Sequence, residues 1–240
     1  MTLDSTRATC YMCEEVETSR EHVPPKCLFP ELKDLPEGKD LRKNLVSVPS
    51  CDEHNSQKSK DDEYLLYVLV SCHLTNQAGQ KLAESKLSRA IRRNPSLMKR
   101  LLEHSAPAVI KDAQGTFETI RVEFDGPRFQ SIGEKIGRAL YFHHFRQKWV
   151  ERIKFVCNFT FLVSGPNAQA VNQDLSVING YADKLFAAAP NHGENPEVFT
   201  YNALTDERSG QVVIRANFYG EARMTILFLQ NAEPFPHSAE

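Results

Sequence analysis

Cys10 and Cys13 form a C-x2-C pair, and Cys51 and His54 form a C-x2-H pair. A two-residue gap lets both side chains of a pair turn toward one ion. Two such pairs supply four nitrogen and sulfur ligands, the set that suits tetrahedral Zn2+. The spacing therefore predicts a structural zinc on Cys10, Cys13, Cys51 and His54. Two unrelated buried cysteine pairs are the alternative, and Cys27 competes for the fourth position. Cys72 and Cys157 lie in apolar surroundings and read as small core residues.

Between the pairs stands REHVPPKCLFP, residues 20–30. Pro24 and Pro25 fix φ and remove two backbone donors, which puts His22 at the end of an extended segment rather than in a helix. Read alone, the stretch suggests a surface turn with an incidental His. Its neighbours add weight: Asn44 in NLVSVP, and Asn55 to Lys58 directly after the second pair. Ser50 is placed to cap a helix carrying Cys51, His54 and Asn55. A unit this small has little apolar core, and a metal staple is what it needs.

The order CYMC, EHVPP, then NLVSVPSCDEHNSQK resembles the HNH (ββα-metal) endonuclease family in its zinc-stapled, stand-alone bacterial form. The resemblance spans roughly residues 10–65, about a quarter of the chain. It implies that His22 is the general base and that Glu21 and Asn55 hold one catalytic divalent ion, Mg2+ or Mn2+. It also implies that Asn44 steadies the loop bearing His22. Two positions depart from the pattern: Glu21 stands where Asp is frequent, and Asn55 where His is frequent. His54 replaces a knuckle Cys and could serve either metal; its spacing favours zinc. The implied reaction is hydrolysis of DNA phosphodiester bonds, with RNA also open as substrate. The implied setting is anti-phage or mobile-element defence.

The chemistry is coherent on physical grounds. A His that titrates near neutrality can take a proton from water. Hard oxygen ligands such as Glu21 and the Asn55 amide suit an ion that neutralises phosphoryl charge. Pro24 and Pro25 would then stiffen the strand end that aims His22. Lys58 and Lys60 follow on the same helix and could meet backbone phosphates, as could Arg92 and Arg93 in the acid-free run from Lys86 to Arg100. A solvated helix face competes with both. The alternative function is a zinc-stabilised nucleic-acid-binding or interaction module without catalysis.

These residues need positioning elements. Residues 1–60 are polar, turn-rich and hold four of the six Cys. SKDDEYLLYVLVSCHL reads as the body of a helix starting near Ser50. Residues 80–104 have helical spacing, broken at Asn94-Pro95. GTFETIRVEFDGP alternates as a strand, residues 129–149 form a long amphipathic helix, and IKFVCNFTFLV is a strand. QAVNQDLSVINGYADKLF is a weaker helix. EVFTYNAL, GQVVIRANFYG and RMTILFLQ predict a three-strand meander, and the Pro-rich tail from Glu233 reads as loose. One of His143 and His144 reads as a packed or partly buried histidine, with another metal or base site as the alternative. Tyr141, Phe142 and Trp149 read as core, as do Phe199, Tyr201, Phe218 and Tyr219.

The predicted fold class is α+β: an N-terminal zinc-bound, treble-clef-like ββα-metal unit, then helices and a mainly antiparallel C-terminal sheet. The division falls into residues 1–75 and 76–240, with a soft boundary because the helix leaving the first unit can enter the second core. The larger part would recognise substrate, regulate, or pair with a second copy or a partner protein.

The 240 residues carry a net charge of −2, spread unevenly: +3 over residues 1–154 and −5 over residues 155–240. That excess is too weak to identify a polyanion partner. The longest apolar run, YLLYVLV, is too short to span a bilayer, and MTLDSTRATC has no apolar signal region. A cytoplasmic protein with metal-binding rather than disulfide-bonded cysteines is the expectation.

Overall fold

The computed structural model describes residues 8–36, 39–55, 59–95, 99, 103, 105–112, 115–123, 125–161 and 165–230. Strand β1 (Ser19–His22) pairs antiparallel with β2 (Ser47–Ser50), setting Glu21 opposite Val48 and His22 opposite Ser47. A single helical turn, α1 (Asp52–Asn55), follows β2 at once. Helix α2 (Ser59–Val70) buries Leu65, Leu66, Tyr67, Leu69 and Val70. Helix α3 (Gln77–Leu82) is capped by Asn76, whose side chain accepts from Ala78 and Gly79 N–H. It continues through a π-helical turn, Ala83–Leu87, into α4 (Ser88–Arg93). Asn94 ends α4 ahead of Pro95, as the sequence predicts.

A hairpin of β3 (Ala106–Asp112) and β4 (Gly115–Arg121) precedes α5 (Gly126–Phe145). The α5 boundaries follow from local chemistry. Asp125 accepts from Arg128 N–H at 3.0 Å, a proline sits in the first turn, and Arg146 closes the end in a left-handed conformation. Then come β5 (Arg152–Cys157), α6 (Ala168–Phe186), β6 (His192–Asn195), β7 (Phe199–Thr205), β8 (Val212–Phe218) and β9 (Ala222–Leu229). The last five strands form one antiparallel sheet in the order β5-β9-β8-β7-β6. The fold is therefore mixed helix and sheet with a mainly antiparallel C-terminal sheet. The meander is the predicted one.

Alternation gives this sheet two faces. The inner face (Tyr201, Ile214, Ala216, Phe218, Met224, Ile226, Phe228) is buried with α2 and α5 in one core that also takes Cys10, Tyr11, Leu28 and Val48. The N-terminal unit is tied to the sheet by polar contacts as well. Tyr219 Oη donates to Leu28 O at 2.8 Å, and Asn195 Nδ2 donates to Lys43 O at 2.9 Å. Among the described residues, no helix is long and apolar enough to cross a membrane.

Several local expectations change. A helix does begin near Ser50, at Asp52, but Ser50 does not cap it: β2 runs through Ser50 in the ladder opposite Ser19, and its hydroxyl donates to Glu21. The strand expected over 153–163 ends at Cys157, and residues 162–164 lie outside the described set, as do 1–7 and 231–240. Strands β3 and β6 carry no clear sequence signal: β3 contains Pro107, and β6 reads HGEN. Each becomes a strand by pairing with a well-patterned neighbour.

Helix α5 approaches β5 more closely than any side chain at residue 133 would allow. A Cβ at Gly133 would lie 2.3 Å from the Phe155 ring. Ala ordinarily stabilises a helix interior relative to Gly, by about 1 kcal/mol. Gly133→Ala is expected to do the reverse, lowering unfolding free energy by roughly 1–3 kcal/mol through overpacking, as measured by urea denaturation.

Candidate metal centre

The ligand atoms of Cys10, Cys13, Cys51 and His54 all lie within 4.8 Å of one another. Cys13 Sγ and Cys51 Sγ are 3.8 Å apart. His54 Nδ1 lies 3.1 Å from Cys51 Sγ, 3.5 Å from Cys10 Sγ and 3.6 Å from Cys13 Sγ. Tetrahedral zinc, with Zn–S near 2.3 Å and Zn–N near 2.0 Å, requires S–S edges of about 3.8 Å and S–N edges of about 3.5 Å. The cluster fits that polyhedron, so these four residues can hold a metal ion such as zinc. Burial disfavours the Cys10 thiolate, but the N–H groups of Met12, Cys51 and Cys13 outweigh it and lower the thiol below its usual range.

The surrounding chain holds this geometry. Tyr11 N–H donates to Pro49 O at 2.9 Å and Cys10 N–H to Glu15 O at 2.8 Å, which places the first knuckle against β2. From beyond α5, Lys148 Nζ reaches Cys13 O at 2.6 Å, Thr9 Oγ1 at 2.9 Å and Glu14 Oε1 at 3.0 Å. No sequence signal marks Lys148, because its partners are more than a hundred residues away.

Cys27 belongs elsewhere: its thiol donates to Asp62 O at 3.3 Å, and burial pushes it up to about 12. Cys157 is buried and Cys72 partly so, and both are free thiols.

Glu21 and His22 leave the end of β1 in alternate directions. Glu21 is 4% exposed. Its carboxylate accepts from Tyr11 Oη at 3.1 Å and from Ser50 Oγ at 3.4 Å. His22 Nδ1 is buried and has no hydrogen-bond partner among the described residues. Both residues line a narrow cleft with Asp61, Asp62 and Lys135. Asp61 is compensated by Arg128 at 2.9 Å and Lys135 at 3.8 Å. Asn55, on α1, donates to Ser19 Oγ at 2.7 Å, one pleat along β1 from Glu21.

Asn44 sits at φ 50°, and its amide donates to Glu194 on β6. It therefore secures the loop before β2 to the sheet. The loop bearing His22 is instead tied by Val23 N–H to Val46 O at 2.9 Å. Val23-Pro24 is a cis peptide, followed by one 3-10 turn, Lys26–Leu28.

The candidate phosphate contacts divide. Lys60 is exposed on α2, Lys58 lies outside the described residues, and Arg92 and Arg93 are exposed at the end of α4. The start of the same basic run is structural. Lys86 Nζ donates to Cys27 O at 2.7 Å, and Arg89 forms a two-bond fork with Asp34. His143 Nδ1 is buried without a partner among the described residues, and His144 Nδ1 lies 3.3 Å from Tyr201 Oη; both histidines are partly buried, where the sequence suggested this for one of them.

The metal assignment has a direct check. Purified protein should carry zinc by elemental analysis, and Cys51→Ser should lose it with a stability decrease of about 3 kcal/mol or more. Cys27→Ser should keep the metal, since its thiol bonds a carbonyl away from the cluster.

Compared with family models, with curated proteins and with solved structures, the chain matches none of them.

Proposed function

We propose that the chain is a metal-dependent endonuclease of the HNH type, hydrolysing DNA phosphodiester bonds with His22 as general base. The supporting observation is His22 itself. It ends β1 at the end of the ladder away from Cys51, its Nδ1 lacks a hydrogen-bond partner among the described residues, and it lines a cleft with Glu21 and Lys135. Burial first, with Lys26 and Arg20 adding to it, holds the His22 imidazolium below its usual 6.5; the Val46 carbonyl opposes them. His22 is thus neutral at pH 7 and can accept a proton from water.

In this reading the zinc cluster is structural and keeps β1, β2 and α1 in register. Glu21 and the Asn55 amide oxygen would hold a divalent ion, Mg2+ or Mn2+, which when bound supplies charge neutralisation at the phosphoryl group. Tyr11 and Ser50 orient the Glu21 carboxylate. Lys135 offers a cation to a phosphate entering the cleft. Lys60, Arg92 and Arg93 remain as exposed cations for backbone contact. Defence against foreign DNA is the setting that the resemblance suggests.

A second reading, a zinc-stabilised binding module without catalysis, draws on the near-complete burial of Glu21. Plasmid incubated with Mg2+ or Mn2+ separates the two. Wild type should nick or linearise it, and His22→Ala should do so at least about 100-fold more slowly with zinc retained. Equal cleavage by both proteins would remove His22 from the mechanism, and failure of the wild type to cut would favour the binding module.

The pH profile is a further check. A base with a lowered pKa stays active until pH falls through that value, so the acid limb should have its midpoint below 6.5. A midpoint clearly above 6.5 would point to a different group.

A further inference from the structure

The outer face of the C-terminal sheet has a composition that packing does not explain. Register places Thr200, Asn217 and Arg223 in one cross-strand row over β7, β8 and β9. The next row holds Asn202, Arg215 and Thr225. The row after that is Leu204, Val213 and Leu227. One apolar row followed by two wholly polar rows is unlike a sheet face built to receive an amphipathic helix. Helix α6 packs here through Phe186 and Ala182; Asn202, Arg215 and Thr225 are buried, while Thr200, Asn217 and Arg223 stay partly exposed.

That block walls a cavity of about 770 Å3, within the usual range for small-molecule sites. Five of the six polar residues line it, all but Thr225, and Asp183 and Phe186 of α6 close one side. Gly193, at φ 112°, lies on the rim, where a Cβ would come within 3.1 Å of Phe199 O.

Its polar groups are held in place before any ligand arrives. Arg215 has a side chain only 6% exposed, lies over the Phe186 ring at 5.0 Å and donates to Thr225 Oγ1 at 3.4 Å. Arg215 and Arg223 both bond the same oxygen, Asp183 Oδ1, at 2.8 and 2.7 Å. Asn202 Nδ2 is fixed by Pro190 O at 2.8 Å and Asn191 Oδ1 at 2.9 Å. Asn217 Nδ2 in turn bonds Asn202 Oδ1 at 3.0 Å and Thr200 Oγ1 at 3.3 Å.

We propose that this cavity binds a small phosphate-bearing ligand whose anion is taken by Arg215 and Arg223 and whose polar body meets Thr200, Asn202 and Asn217. The two guanidinium forks share Asp183 Oδ1, and Arg223 also bonds Glu221 Oε2 at 2.8 Å; both forks still carry more N–H donors than these oxygens use, and a phosphate has the oxygens to take them. Asp183 is 49% exposed, so water screens its hold on the pair. Arg215 sits too deep for water to substitute, so its charge favours an anion inside the cavity. The site lies on the face of the sheet away from α5 and the His22 cleft, and its ligand is independent of the nuclease reading.

The test is calorimetric titration of the full chain with AMP and ribose 5-phosphate, against adenosine and ribose. The phosphorylated probes should bind and the other two should not. Arg223→Gln should weaken binding at least about tenfold, the loss of one charge-assisted pair. Asp183→Asn, by freeing Arg215 of its carboxylate and leaving Arg223 with Glu221 alone, should tighten it by a similar factor; this variant also carries the test if Arg223→Gln misfolds. His22→Ala should bind like the wild type, which separates this site from the proposed catalytic one. Absence of binding by both phosphorylated probes, equal binding of adenosine, or affinity unchanged in both variants would overturn the proposal.

Discussion

Closure of the Cys3His cluster is the constraint on which the N-terminal unit depends. Strands β1 and β2 are four residues each, too short to persist as an isolated hairpin. The Cys13–Cys51 approach closes the long loop between the knuckles, and such closure stabilises most when the loop is long. It places β1 against β2 and sets α1 directly after them. Glu21, His22 and Asn55 inherit their positions from that one junction.

The cluster does not act alone. Lys148 grips the first knuckle from the far end of α5, Tyr219 grips the Leu28 carbonyl from the β8–β9 turn, and Asn195 grips Lys43. These contacts reach from residues 148–219 back to residues 13–43. The N-terminal unit therefore leans on the C-terminal sheet, and one apolar core runs through both. The two faces of that sheet then do different work. The inner face supplies bulk to the core, while the outer face carries two polar rows around a cavity.

Legibility in the sequence followed the range of the interactions. The two Cys/His pairs were readable because each is a local spacing of four residues aimed at one ion. The meander and α5 were readable because alternation and 3.6-residue periodicity are also local. Ser50 was misjudged because its hydroxyl answers to Glu21 across the ladder rather than to the helix beyond it. Lys86 and Arg89 looked like a solvated or phosphate-facing run. They are taken up by the Cys27 carbonyl and by Asp34, neighbours in space only. Strand β6 was invisible because its sequence, HGEN, has no strand propensity and exists by pairing with β7.

By itself, the sequence determined the four Cys/His residues of the cluster, the order of the main elements and the placement of His22 just before two prolines. Local chemistry decides each of these: ligand spacing, periodicity and the fixed φ of proline. Only the tertiary structure decided that Cys27 serves Asp62 rather than metal, that Asn44 reaches β6, and that Lys135 shares a cleft with His22. It alone also assembled Arg215, Arg223 and the two asparagines into one wall. Strand register creates that wall, and register depends on pairings between residues far apart in the chain.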